Sequence, residues 1–263
     1  MTHSLRRLAL AGAALLGVAA AVPASASAAT LIGLTAEGSL IRIDTQARRA
    51  SAPVRVRGAD GALLGIDVRP ADGKLYGVTA SGQIVTIDPT TGMATKVSQL
   101  SESFESGGRA VVDFNPVADR LRLMGSSGMN FRVNVETGAV VRDGQLKYQA
   151  GGPLAETVPR VTAGAYTNSM GGATATMLLT IDSVLGQLNV QAPPNDGVQQ
   201  MRGRIGNGVP GTAALDILSD GTTNTGYLLS GGVLHTVNLE TGAPTVLGPV
   251  AGAAEVIDIA AMR

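Results

Sequence analysis

Apolar positions in this chain come in short bursts, many alternating with polar ones, and Gly, Asn, Asp or Pro separates each burst from the next. In QIVTIDPTTGMAT, Gln83 to Thr95, one alternating run ends, the chain turns on Pro-Thr-Thr-Gly, and a second run begins. That pattern predicts two strands joined by a hairpin. Aligned on Gly82, it recurs around Gly38 (TAEGSLIRID), Gly128 (GSSGMNFRVN), Gly186 (SVLGQLNVQA) and Gly232 (LSGGVLHTVN), at spacings of 44, 46, 58 and 46 residues. Four copies carry Asp or Asn six residues after the glycine, at Asp44, Asp88, Asn134 and Asn238, and three run on into Thr-Gly. Asx side chains bond nearby backbone and Gly accepts positive φ, so these are turns. The fourth copy has Ala192 there, followed by Pro-Pro-Asn-Asp-Gly, which predicts a longer turn at the same place.

Each glycine follows another strand, and in most copies a third strand with a carboxylate lies before that. Asp67 precedes Gly82 by 15 residues, Asp113 precedes Gly128 by 15, and Asp216 precedes Gly232 by 16. The fourth copy has Ala165 at that place and the insertion SMGGATAT after it. The first copy has no room for this strand, because counting back 15 from Gly38 reaches residue 23, inside an export signal described below. The chain ends instead on EVIDIAAMR, with Asp258 but no following strands. The two incomplete ends make one unit. Units of about 45–50 residues with four strands are the signature of a propeller blade. The expectation is therefore an all-β, five-bladed β-propeller of four-stranded blades over residues 29–263, closed by pairing the C-terminal strand into the first blade. A pair of β-sandwich domains or a solenoid is the alternative, although a solenoid needs capping units rather than complementary halves.

Composition narrows the setting. Arg6 and Arg7 precede an apolar run from Leu8 to Val22 and then A-x-A sites, which predicts a signal peptide over residues 1–28. The run is shorter than the ~20 residues a spanning helix needs. The expected protein is secreted, extracellular or periplasmic, monomeric, and not inserted in the membrane after cleavage. The full chain balances 20 basic against 20 acidic residues, and losing residues 1–28 leaves 18 against 20, which gives no overall pull toward nucleic acid. No cysteine is present, so disulfides, thiolate metal sites and cysteine nucleophiles are excluded. Outside the signal, His235 is the single histidine, which excludes multi-histidine metal sites.

The sequence also resembles a known family. LLGIDVRPADGKLYGV, GQIVTIDPTTG, VVDFNPVADRLRLM, GMNFRVNVETG, AYTNS and the Pro-Pro-Asn turn are similar to the bacterial DUF4394 family, in order and over nearly the whole mature chain. That family is one of unknown function, so the resemblance implies an exported, propeller-like repeat protein and supplies no catalytic residue.

Candidate chemistry follows from the repeat. If first strands are innermost, Asp67, Asp113, Asp216 and Asp258 stand at equivalent heights around a central channel. They either converge on a hard cation such as Ca²⁺ or accept backbone N–H bonds that stitch blades together. Blade three gathers Arg109, Arg120, Arg122 and Arg132 beside Asn130. Arg122, Asn130 and Arg132, with Tyr166 near the insertion, are the candidate ligand-binding residues, because guanidinium forks take carboxylate or phosphate; pairing with neighbouring acids is the alternative. Aromatics make up 3% of the chain and none repeats from blade to blade, which argues against a lectin with one sugar site per blade. No G-x-S-x-G, H-E-x-x-H, P-loop or EF-hand spacing occurs. The expected function is a binding or interaction module of unknown ligand; the alternative is a glycan hydrolase or lyase using the channel aspartates.

Overall fold

The structure, a computed structural model, describes residues 29–206, 213–253 and 255–262. The expected signal peptide, residues 1–28, lies outside the described residues. Why the chain turns where it does is visible at the repeat glycines. Gly38, Gly82, Gly128, Gly186 and Gly232 all have φ between 61° and 92°, a region other residues enter only under strain. The Asx turns form as the sequence predicts. Oδ1 of Asp88 accepts the N–H groups of Thr90 and Thr91, Asn238 does the same for Glu240 and Thr241, and Asp44 for Gln46 and Ala47.

These hairpins build five sheets, each a meander counted outward from its inner strand. Blade two runs Leu63–Val68, Leu75–Thr79, Gln83–Ile87 and Ala94–Gln99. Blade three runs Ala110–Asn115, Arg120–Gly125, Asn130–Val133 and Val140–Arg142, and blade five Ala214–Ser219, Asn224–Ser230, Val233–Val237 and Pro244–Pro249. In blade one the C-terminal strand Val256–Met262 is innermost and pairs antiparallel with Thr30–Thr35, placing Leu34 opposite Asp258. The five inner strands neighbour one another in a ring, with Val256–Met262 between those of blades five and two.

Two blades depart from four strands. The outer strand of blade one is broken into Arg49–Ala50 and Val54–Arg55, both pairing with Ser39–Asp44. Blade four (Val161–Tyr166, Leu178–Asp182, Gln187–Gln191, Val198–Arg204) gains Lys147–Tyr148 as a fifth, parallel strand on its outer edge. Its long turn forms a 3-10 turn, Pro194–Asp196. No helix among the described residues is long and apolar enough to cross a membrane.

Five apolar clusters fill the seams between neighbouring blades, each fully buried aliphatic contributing roughly 1.5–3 kcal/mol. The seam between blades three and four has the smallest cluster, six residues, and there polar side chains take over part of the packing.

Candidate functional site

The repeated aspartates sit mid-way along the inner strands, and each ties its blade to the next. Asp258 Oδ2 accepts Ile66 N–H at 2.8 Å, Asp67 Oδ2 accepts Phe114 N–H at 2.7 Å, Asp113 Oδ1 accepts Tyr166 N–H at 2.9 Å, and Asp216 Oδ2 accepts Ala261 N–H at 2.5 Å. Thus blade one is tied to two, two to three, three to four, and five to one. Blade four contributes Ala165, so no carboxylate fastens its inner strand to blade five. The same carboxyl groups also converge: one oxygen each of Asp67, Asp113 and Asp216 lie within 4.8 Å of one another. Close approach of the inner strands depends on glycine, since a Cβ at Gly65 would lie 2.6 Å from Asp258 Oδ2.

Crowding carboxylates away from water disfavours their charged forms. Burial, then the charge of Asp216, pushes Asp67 well above the usual carboxylate range; burial, then the charges of Asp67 and Asp216, does the same to Asp113. Burial raises Asp216 to about 6 and Asp258 to about 8, against backbone hydrogen bonds and, for Asp258, the opposing charge of Arg109. Arg109 closes the channel at the end where the inner strands begin. From blade three it reaches across to the carbonyls of Ala213 in blade five and Ile257 in blade one, with its own pKa lowered by burial. Its Nε is buried without a partner among the described residues.

At the other end the channel opens into a cavity of about 160 Å³, lined by Asp67, Arg69, Ser169, Asp216, Ser219 and Met262 among others. Arg69 is pinned at this rim: it forks onto Asp119 (2.8 and 2.5 Å) and also reaches Glu136 and the Tyr76 hydroxyl. Two further hollows lead from the mouth over the insertion, the first adjoining the mouth and the second adjoining the first. The first, of about 340 Å³ and lined by the Met170–Ala175 part of the blade-four insertion, shares Ser219 with the mouth. A mostly apolar one of about 380 Å³ lies on the insertion's far side, with Tyr166, Met177 and Pro194 in its wall. The channel mouth and the insertion therefore shape one continuous face.

The other expected site residues form a built-in network at the seam of blades three and four. Arg122, 1% exposed, donates through Nε to the Tyr166 hydroxyl, through Nη1 to Asn130 Oδ1 and Asp143 Oδ2, and through Nη2 to Asn195 Oδ1. Arg132 forks onto Asp143 at 2.8 and 2.9 Å. The structure thus brings Arg122, Asn130, Arg132 and Tyr166 together, around protein acceptors. Breaking a buried ion pair from one side typically costs 3–5 kcal/mol. Because Arg132 still holds Asp143, Arg122→Met is expected to destabilise by about 3 kcal/mol in urea unfolding; an unchanged midpoint would show the network to be energetically idle. His235 is half-buried, with Nδ1 3.1 Å from the carbonyl of Val233. Arg69, Arg109, Asp143 and Asn195 are the residues sequence reasoning missed as parts of these arrangements.

The domain-of-unknown-function model DUF4394 matches residues 22–260. The chain belongs to this family. No curated protein matches this DUF4394 chain. Among solved structures, a structural genomics protein of unknown function from Bacteroides thetaiotaomicron VPI-5482 is similar over 90% of this chain with 16% identity and a TM-score of 0.52; the match spans 65% of that protein, less than two thirds of its length. A chain of a nidogen/laminin complex is similar over 89% of this chain and 98% of its own, with 9% identity and a TM-score of 0.50. An auxiliary nutrient binding protein from Bacteroides ovatus ATCC 8483 aligns over 76% of this chain and 56% of its own, with 14% identity and a TM-score of 0.43, too loose a superposition to argue from. At such identities the first two similarities show the fold of the DUF4394 chain alone.

Proposed function

We propose that this protein is an exported binding module, secreted or periplasmic, that takes its ligand on the face where the channel opens. The observation that carries this reading is the run of hollows joining the channel mouth to the one insertion in the repeat. Loops on a rigid scaffold are where binding residues concentrate, and concave surface with a few convergent polar groups is where small ligands seat. Asp67 and Asp216 supply carboxyl oxygens at the floor of the mouth, and Arg69 is a fixed rim. Behind the mouth, the carboxylates hold the blades together and take up positive charge, either as protons or as a hard cation such as Ca²⁺ on Asp67, Asp113 and Asp216.

Glycan cleavage, the other reading of the same aspartates, needs a cleft that admits a sugar between two carboxyl groups about 5–9.5 Å apart. The channel instead covers three carboxylates whose oxygens lie within 4.8 Å, so binding is the reading we carry forward. Replacing Met170–Thr176 with a two-residue Asn-Gly turn, as in a simple hairpin, tests it. On an array of soluble glycans and small metabolites, the variant is expected to lose the signals the wild type gives while its melting temperature moves by only a few degrees. Retention of every wild-type signal by a folded variant would place recognition elsewhere.

A further inference from the structure

The outer edge of blade one carries a run of arginines that form no ion pair among the described residues. Residues 42–57 hold five arginines, Arg42, Arg48, Arg49, Arg55 and Arg57, and one acid, Asp44, within a chain whose charges balance as a whole. All five arginines are exposed. Asp44 stands opposite Arg49 across the paired strands and its Oδ1 accepts the N–H groups of Gln46 and Ala47, so one acid faces five arginines. The broken outer strand places the arginines in a band across the blade. Arg48 donates to the carbonyl of Leu247 in blade five, Arg49 bridges to Ala251, Arg55 donates to the carbonyl of Glu37, and Arg57 bridges to Met93 of blade two. Arg42 lies between them, on the paired strand.

Outside blade one, Arg69, Arg122, Arg132, Arg142 and Arg202 pair with carboxylates, while Arg109, Arg120, Arg160 and Arg204, spread singly over blades three and four, form no ion pair among the described residues. None of those ion pairs involves blade one, and the side chains of Arg42, Arg49 and Arg57 have no polar partner among the described residues. A group of unpaired guanidinium forks on a rigid edge is a ready seat for oxyanions.

We infer that the blade-one edge is a docking strip for a linear acidic polysaccharide, whose carboxylates meet the arginine band. Blade one contains no aromatic residue, so it offers no platform for nucleobases. None of the exposed large apolar side chains belongs to this blade, so it has nothing to bury in a bilayer. It does have relief: a groove of about 280 Å³ beside Glu37 and Ala62 is walled by Arg55, a shape that a chain of sugars fills and a flat membrane does not. The strip is separate from the channel mouth and stands or falls independently of it.

The test uses the mature chain on immobilised polygalacturonate, eluted with a salt gradient, alongside the triple variant R42A/R49A/R57A. Those three side chains hold nothing in the fold, so the variant should melt with the wild type. The wild type is expected to be retained at low salt, and the variant to bind about tenfold more weakly and elute early. Passage of the wild type through the column unretained, or co-elution of the two proteins, overturns the inference. So does capture of the wild type by phosphatidylglycerol vesicles or single-stranded DNA but not by polygalacturonate.

Discussion

A chain that stops after Glu255 is expected to aggregate or fall to protease rather than melt cooperatively. Removing Val256–Met262 strips blade one of its inner strand and bares the edge of Thr30–Thr35 to any passing strand. It also takes away the buried side chains of Val256, Ile259 and Ala260, frees Ile66 N–H from Asp258, and leaves Asp216 without Ala261 N–H. Each buried aliphatic is worth roughly 1.5–3 kcal/mol and each orphaned buried polar group about 1–3 kcal/mol. Together these losses rival the roughly 5–15 kcal/mol that typically holds a domain folded. Thermal unfolding with light scattering reads the outcome. A truncated monomer that melts cooperatively at the wild-type temperature would mean that the strand does not hold the ring.

The second large effect is a reversal of the usual pH trend. Asp67, Asp113, Asp216 and Asp258 all have pKa values raised by folding, so the folded state keeps protons that the unfolded chain, titrating at about 3.9, gives up. Their contribution to stability is complete below about pH 4 and is lost as the pH rises through about 6 for Asp216 and about 8 for Asp258. Every tenfold by which folding tightens the hold on a proton is worth about 1.4 kcal/mol, so the four together amount to several kcal/mol. Asp119 and Asp220 act oppositely: their pKa values are lowered, by Arg69 and by backbone N–H groups of Thr223 and Thr222, so their contribution fades in acid. The melting temperature should therefore peak in mild acid and fall from about pH 5 to about pH 9 in EDTA.

A cation changes that slope because it competes with protons for the same oxygens. If Asp67, Asp113 and Asp216 accept Ca²⁺, excess Ca²⁺ should raise the melting temperature more at about pH 8 than at about pH 5, by the equivalent of about 2.7 kcal/mol at a hundred times the dissociation constant. Identical melting in EDTA and Ca²⁺ at the higher pH would leave protons as the only neutralising charge. A flat profile across the whole range would mean that the four carboxylates titrate as ordinary surface groups.

What could be read in advance was what depends on near neighbours. Gly82 and Asp88 specify their turns through atoms only a few residues away, so the period of the blades, the offset of the aspartates and the gap at Ala165 lay open in the sequence. The partners of Arg122 did not, because Asp143 lies 21 residues away and Asn195 73, with no period joining them. The same holds for Arg109, whose targets Ala213 and Ile257 lie on other blades, and for Lys147–Tyr148, a two-residue strand with no alternation to betray it. Whether the aspartates stitch or converge was undecidable from spacing, since a carboxylate has two oxygens: Asp67, Asp113 and Asp216 do both, whereas Asp258, expected with them, stitches but lies outside the converging set.

The missing carboxylate in blade four makes one joint of the ring a clasp of a different kind. Four joints are riveted inside the channel by an acid whose charge comes and goes with pH. At the fifth, between blades four and five, the channel side is closed by greasy contact, Ala163 and Ala165 lying in one cluster with Leu215 and Ile217. Its polar fastenings lie away from the channel: Arg202 of blade four reaches the Leu239 carbonyl and the Glu240 carboxylate of blade five, and at the loop end Asn168 N–H donates to Asn224 Oδ1 and Asn224 Nδ2 donates back to Asn168 Oδ1. Amides do not titrate, so the Asn168–Asn224 clasp is deaf to the proton signal that loosens the rivets. It also lies beside the mouth, with Ser169 and Ser219 on its two sides at the rim. Alkali that charges the other four joints therefore leaves the Asn168–Asn224 bonds, at the base of the insertion, unchanged.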